Sequence, residues 1–223
     1  MEQLQGRWVI DKALSTGTDD VLKLQGVPWA LRKAISFVTI TFDITLYTTS
    51  NTSNEPAPMT PPATVIEIQI TPTGGLPGTK EIRVLDWSEQ EQTDFAFGTT
   101  RYATGFVTGK RDDKGDMYPD IVMKRKVSSE KVQRFLRGEV LEDGTASKWF
   151  LGNGLGSGEE AVWVHTFKKS VPEKWTVEQV WGFEEIDGNL YHAQRFVAVD
   201  KKGGYVLGRA LYKRLDDRLG QER

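Results

Sequence analysis

Trp175-Thr176-Val177-Glu178-Gln179-Val180-Trp181-Gly182-Phe183-Glu184-Glu185, then Asp187-Gly188-Asn189, then Leu190-Tyr191-His192-Ala193-Gln194-Arg195-Phe196-Val197-Ala198-Val199 reads as a β-hairpin. Aromatic and β-branched residues fill both arms, and Asp-Gly suits the positive-φ positions of a two-residue turn. Such a turn fixes the register: Trp181 faces Gln194, Gln179 faces Phe196, and Phe183 faces His192. Val162–Phe167 before it and Tyr205–Leu211 after it extend the hairpin into a β-meander, with breaks at Pro172 and at Lys201-Lys202-Gly203-Gly204.

The N-terminal half carries the same signature. Val38, Ile40, Phe42, Ile44 and Leu46 alternate with Thr39, Thr41, Asp43 and Thr45, the clearest period-two pattern in the chain. Ile66, Ile68 and Ile70 resume it, and Lys80–Trp87 continues it. Before these strands, Thr18 is placed to cap a short helix through Val21, Leu22 and Leu24. Gly26 ends that helix, and Pro28 opens a second through Trp29, Leu31, Arg32 and Ile35. Residues 48–64, with Pro56, Pro58, Pro61 and Pro62, read as a mobile connection, and residues 216–223 as a frayed charged tail. Lys124–Lys131 is expected to carry a short helix.

Composition narrows the functions. The chain has 223 residues, 38% hydrophobic, with 22 glycines, which is ordinary for one globular domain over 1–223. Twenty-nine Lys and Arg against 31 Asp and Glu leave no basic field for nucleic acid. No cysteine is present, so disulfides, thiolate nucleophiles and cysteine metal sites are excluded. His165 and His192 are the only histidines, too few for a histidine metal cluster, and no cofactor is expected. Met1–Gln5 has no secretory character and no apolar run is long enough to span a bilayer, so a soluble cytoplasmic protein is the expectation. The sequon at Asn51 then reads as plain loop.

Four local motifs fail on inspection. Asp112-Asp113-Lys114-Gly115-Asp116 lacks the spaced ligands of a calcium loop and reads as a solvated turn. Gly152–Gly158 closes neither a dinucleotide-binding nor a phosphate-loop register, and Leu155 breaks a nucleophile elbow.

Antiparallel strands interrupted by one helical hairpin describe an all-β protein: a closed antiparallel barrel with a helical lid after the first strand. Gly6-Arg7-Trp8, Leu24-Gln25-Gly26-Val27 and Leu31-Arg32-Lys33 resemble the opening of fatty-acid-binding proteins and, more broadly, of lipocalins. The resemblance implies a tryptophan plugging one end of the barrel and a helical cover at the other. The carboxylate-binding R-x-Y of that family has no match, because Arg209 and Tyr212 are three apart and point to opposite faces of a strand. Leu24–Trp29, Arg32–Ile35, Val84–Trp87 and Trp175–Phe183 are similar to small fungal lipocalin-like proteins of secondary metabolism. These include hetero-Diels–Alderases that join a tropolone quinone methide to a humulene-type sesquiterpene. The resemblance implies hydrophobic terpenoid and polyketide-derived ligands and catalysis without a cofactor.

A four-residue turn at Lys201–Gly204 brings Gln194 near Arg209. One face then carries Gln179, Trp181, Phe183, His192, Gln194, Phe196, Tyr205, Leu207, Arg209 and Leu211, and this aromatic-rich face is expected to line the cavity. Arg209, Gln194 and His192 are the candidate carbonyl-polarising groups. Gln179, Trp181, Phe183, Phe196, Tyr205 and Leu207 are the candidate substrate contacts. Arg209 ion-paired on the exterior and His192 as a surface residue are the alternatives. Trp8 is expected in the core and Trp29 as a lid anchor. Three functions remain open: a pericyclase, a non-catalytic carrier of hydrophobic small molecules, and an acid–base isomerase or dehydratase. The proposed inward face has no carboxylate pair for the last.

Overall fold

The computed structural model describes residues 2–49, 62–151 and 162–215. The Pro-rich connection over most of its length, Asn51, the Gly152–Gly158 loop and the 216–223 tail lie outside the described residues.

Alternation in the sequence becomes one long antiparallel sheet. Its strands are β1 (Gly6–Ile10), β2 (Ile40–Thr48), β3 (Thr64–Pro72), β4 (Thr79–Val84), β5 (Gln90–Asp94), β6 (Gly98–Arg111), β7 (Met117–Pro119), β8 (Val162–Ser170), β9 (Trp175–Ile186), β10 (Asn189–Asp200) and β11 (Tyr205–Arg214). They run in the order β4-β3-β2-β1-β11-β10-β9-β8-β6-β5, with β7 on β6. The sheet curls so that β4 approaches β6. At this seam side chains do the joining: Tyr102 Oη donates to the Ile82 carbonyl at 2.7 Å and Gln92 Nε2 to that of Lys80 at 3.2 Å. The result is the expected all-β architecture, a curled antiparallel sheet with few helices, whose two ends meet through side chains and not through a backbone ladder.

The lid is α1 (Thr18–Leu24) and α2 (Trp29–Phe37). Gly17, not Thr18, caps α1: its φ is 64°, and a Cβ there would run into the Leu207 carbonyl. Lys12 Nζ donates to the Ile35 and Ser36 carbonyls at 2.8 and 2.9 Å, and to that of Val38, covering the C-terminal end of α2. Trp8 is buried in the inner core, its Nε1 donating to the Leu4 carbonyl at 2.8 Å. Trp29 is 67% exposed, contrary to the expected burial of a lid anchor.

Asp187-Gly188 forms the two-residue turn, and β9 pairs with β10 in the expected register, Trp181 with Gln194 and Gln179 with Phe196. The next hairpin differs. Asp200 and Gly204 close a loop of only Lys201, Lys202 and Gly203, with Gly203 at φ 89°. One residue fewer in the turn reverses the parity of β11: Gln194 pairs with Ala210, and Arg195 with Arg209.

Arg209 and Leu211, turned away from the barrel interior by that parity, are nonetheless buried, because a second layer covers much of the outside of β8–β11. The helix α3 (Glu130–Leu136) and the chain after it bring Val132, Phe135, Leu136, Val140 and Trp149 onto Trp163, Val180, Ala193, Val197 and Leu211. The helix begins at Glu130, so it occupies only the end of the Lys124–Lys131 stretch. Arg195, ion-paired within the sheet, joins the two layers by its hydrogen bonds. Glu184 accepts from Arg195 Nε at 3.0 Å and from Arg209 Nε at 2.9 Å. Arg195 also donates to the Phe135 and Val140 carbonyls at 2.9 and 2.7 Å and to Ser147 Oγ at 2.9 Å. Removing the carboxylate would leave two buried guanidiniums uncompensated. Glu184→Ala should therefore cost about 3–5 kcal/mol in urea unfolding. Asp43→Ala, which breaks the exposed Arg7 pair, should cost about 1 kcal/mol or less.

Candidate functional site

The inner face of the sheet is not filled to its end. Beneath α1 and α2 lies a cavity of about 530 Å³, in the range that takes drug-sized ligands. Ile68 and Ile70 of β3, Phe42 of β2, Trp181 of β9, Phe196 of β10 and Tyr212 of β11 form much of its wall. These positions alternate along their strands, so the pleat points them all inward. Val21 and Leu22 of α1 and Ile35 of α2 close it from above.

Gln179, Gln194, Trp181 and Phe196 line the cavity, as the β9–β10 register requires. Phe183 and His192 lie on the same face but deeper, packed in the floor. His192 is ringed by Trp8, Trp181, Phe183 and Tyr212 at centroid distances of 5.3–5.9 Å. It is fully buried rather than a surface residue. The three β11 candidates, Arg209, Tyr205 and Leu207, sit on the opposite face because of the shorter turn. Arg209 pairs with Glu184 under the outer layer, Leu207 packs against the outer core, and Tyr205 Oη lies 3.3 Å from Ser129 Oγ. Tyr212 takes the inward place on that strand.

A hydrogen-bonded relay runs along the wall. Gln179 Nε2 donates to Gln194 Oε1 at 2.7 Å, Gln194 Nε2 to His192 Nε2 at 3.0 Å, and His192 Nδ1 to the Gly182 carbonyl at 3.2 Å. That carbonyl sets the imidazole tautomer, with the proton on Nδ1 and the lone pair on Nε2. Burial among rings pushes the His192 pKa down to about 4, opposed only partly by the Gly182 bond. Burial likewise pushes the Tyr212 hydroxyl up, keeping it a neutral donor. It reaches Gln194 Oε1 only at 3.4 Å.

A second polar group was not legible from spacing. On β4, Glu81 and Arg83 turn inward while Ile82 between them is 43% exposed. Arg83 lies 4.8 Å from the Trp181 ring and donates to Glu81 Oε2 at 2.6 Å and to Thr166 Oγ1 at 3.0 Å. Burial raises the Glu81 pKa, but the charges of Arg83 and Lys168 outweigh it and hold the carboxyl below its ordinary value. The signal was an inverted alternation, charges inward and isoleucine outward. Among the described residues no three His, Asp or Glu side chains group as metal ligands, and no helix is long and apolar enough to cross a membrane.

No protein-family model matches the chain. Over 214 residues, 96% of this chain and 92% of the relative, it is 28% identical to "Pericyclase pydY" of Acremonium sp. It is also 28% identical over 204 residues to "Probable pericyclase scpY" of Mollisia scopiformis, covering 92% of this chain and 85% of that one. The likeness to pericyclic enzymes read from local motifs thus extends along most of the chain. Among solved structures, the REP1-NXSQ fatty acid transporter aligns with a TM-score of 0.47 and 15% identity, covering 97% of this chain and 98% of its own. As-p18, an extracellular fatty acid binding protein, aligns at 0.46 and 12%, covering 96% and 97%.

The buried imidazole ties stability to pH. Unfolding restores His192 to about 6.5, so between that value and about 4 the unfolded chain binds the extra proton. Stability from this group is complete above pH 6.5 and falls as pH drops toward 4, by roughly 3 kcal/mol in all. Urea unfolding at pH 7 and pH 4.5 should show this loss in the wild type and its absence in His192→Asn. Equal losses in both proteins would contradict the burial of a neutral imidazole.

Proposed function

We propose that the chain is a pericyclase, which binds a large, mostly apolar substrate system bearing a carbonyl in the cavity and accelerates a cycloaddition there without a cofactor. The similarity along most of the chain to two proteins named pericyclase carries this reading. The mostly apolar cavity supports it.

A hetero-Diels–Alder step exchanges π bonds for one C–C and one C–O σ bond, and no proton or electron leaves the reacting pair. The protein's work is to hold both partners at near-attack distance, which in well-oriented systems supplies up to about 7–11 kcal/mol. Trp181, Phe196 and Phe42 provide flat walls that fix which faces meet. Gln179 has an amide N–H beyond the one given to Gln194, and Tyr212 has a hydroxyl with only a long contact. Either can donate to the carbonyl oxygen and draw electron density from the heterodiene. Gln194 is engaged at both ends of its amide and acts by orienting Gln179, with His192 holding Gln194 in turn. Arg209 has no part in this step, since it is committed to Glu184 on the other face.

The finer form of the proposal is the pair implied by the sequence motifs: a tropolone quinone methide as heterodiene and a humulene-type alkene as its partner. Incubating the purified protein with a quinone-methide precursor and humulenol should raise the rate above background and give one stereoisomer in excess. Phe196→Ala and Tyr212→Phe should each lower the rate about tenfold or more, while Tyr205→Ala, on the outer face, should leave it within about twofold. Binding of both partners with the background rate and isomer ratio would replace catalysis by carriage.

A further inference from the structure

Four cations line the cavity: Lys12, Arg32, Arg83 and Lys168. Three are committed. Lys12 is held by the carbonyls at the end of α2, Arg32 pairs with Asp19, and Arg83 gives two N–H groups to one oxygen of Glu81. Lys168, on β8, is different. Among the described residues its ammonium makes no hydrogen bond and no ion pair, and the nearest aromatic contact is the Phe97 ring at 4.9 Å.

The acids nearby do not answer it. Glu81 acts on Lys168 through space but spends its contact bonds on Arg83. Asp94 also acts at a distance, and its Oδ1 accepts the backbone N–H groups of Ala96 and Phe97 at 2.9 and 2.7 Å. Burial pushes the Lys168 pKa down, with Glu81 opposing. An ammonium with three donors facing a mostly apolar hollow is costly unless an acceptor arrives.

We propose that Lys168 anchors the substrate, and that the substrate carries an oxyanion, a carboxylate or the enolate of an acidic dicarbonyl, at the end lying against β8 and β4. This rests on the cavity being the reaction chamber. It adds a direction to it: the charged end lies at Lys168 beside Arg83, and the apolar remainder extends over Trp181 and Phe196. An enolate conjugated with the reacting π system would also be held in one geometry by the Lys168 contact.

Two fluorescent probes of similar shape test the anchor: anionic 8-anilinonaphthalene-1-sulfonate and neutral N-phenyl-1-naphthylamine. Lys168→Met should weaken the anionic probe at least tenfold and leave the neutral one within twofold. Lys168→Arg should keep both within about threefold, which separates lost charge from lost folding. Displacement of the anionic probe from the wild type by dodecanoate, by 2-dodecanoylcyclohexane-1,3-dione and by dodecanol then tells the sources apart. Stronger displacement by the first indicates a carboxylate, and by the second an enolate. Equal displacement by dodecanol, or an anionic probe unaffected by Lys168→Met, overturns the anchor while leaving the cavity reading intact. A wild type that binds neither probe overturns both.

Discussion

The parity of β11 against β10 governs what this barrel can hold. Because Gly203 accepts a positive φ, Lys201–Gly203 turns the chain in three residues, and alternate side chains of β11 change sides. Ala210 and Tyr212 come to the hollow, one small and one a neutral donor. Arg209 and Leu211 go to the outside, where Glu184 and the outer apolar layer receive them. The opposite parity would bring a guanidinium into the cavity and leave Glu184 beneath the outer layer with Arg195 as its one contact cation. The ion pairs and the hollow therefore arise from the same choice of turn.

Two layers of very different texture follow. Outside, indole and aliphatic groups pack closely enough that a Cβ on Gly182 would come within 2.7 Å of the Trp149 ring. Inside, the same strands carry a wall whose polar groups are bound mainly to one another, leaving few donors free. The dry outer layer gives β8–β11 rigid support, and rigid support is what a site needs when its chemistry is positioning. His192 shows how far this extends: an imidazole kept neutral by burial, its tautomer set by a carbonyl, serves to hold a glutamine.

Much of this was legible. Alternation and turn signals located β2–β4 and β8–β11 but not β5, β6 or β7, and Asp187-Gly188 fixed the β9–β10 register, which placed Gln179, Trp181, Gln194 and Phe196 on the cavity wall. The facing of β11 was not legible, because a loop written Lys-Lys-Gly-Gly can turn in three residues or four. Nor could β9 signal its own facing: residues 175–184 are buried without interruption because both faces are covered, so no polar alternation remains. On β4 the pattern was present but inverted, with Arg83 buried and Ile82 exposed. A charge placed inward runs against the hydrophobic rule, so the usual reading of alternation gives the wrong facing there. Lys168 belongs to the same class and was equally silent in a strand of mixed composition.

The most direct test is a crystal structure of the chain grown with a neutral cycloadduct of the reaction. Electron density is expected inside the barrel, against Trp181 and Phe196 and beneath α1 and α2, with a carbonyl oxygen within hydrogen-bonding distance of Gln179 or Tyr212. Density confined to the outer face, or an interior occupied by the protein's own side chains, would contradict a reaction held within the hollow.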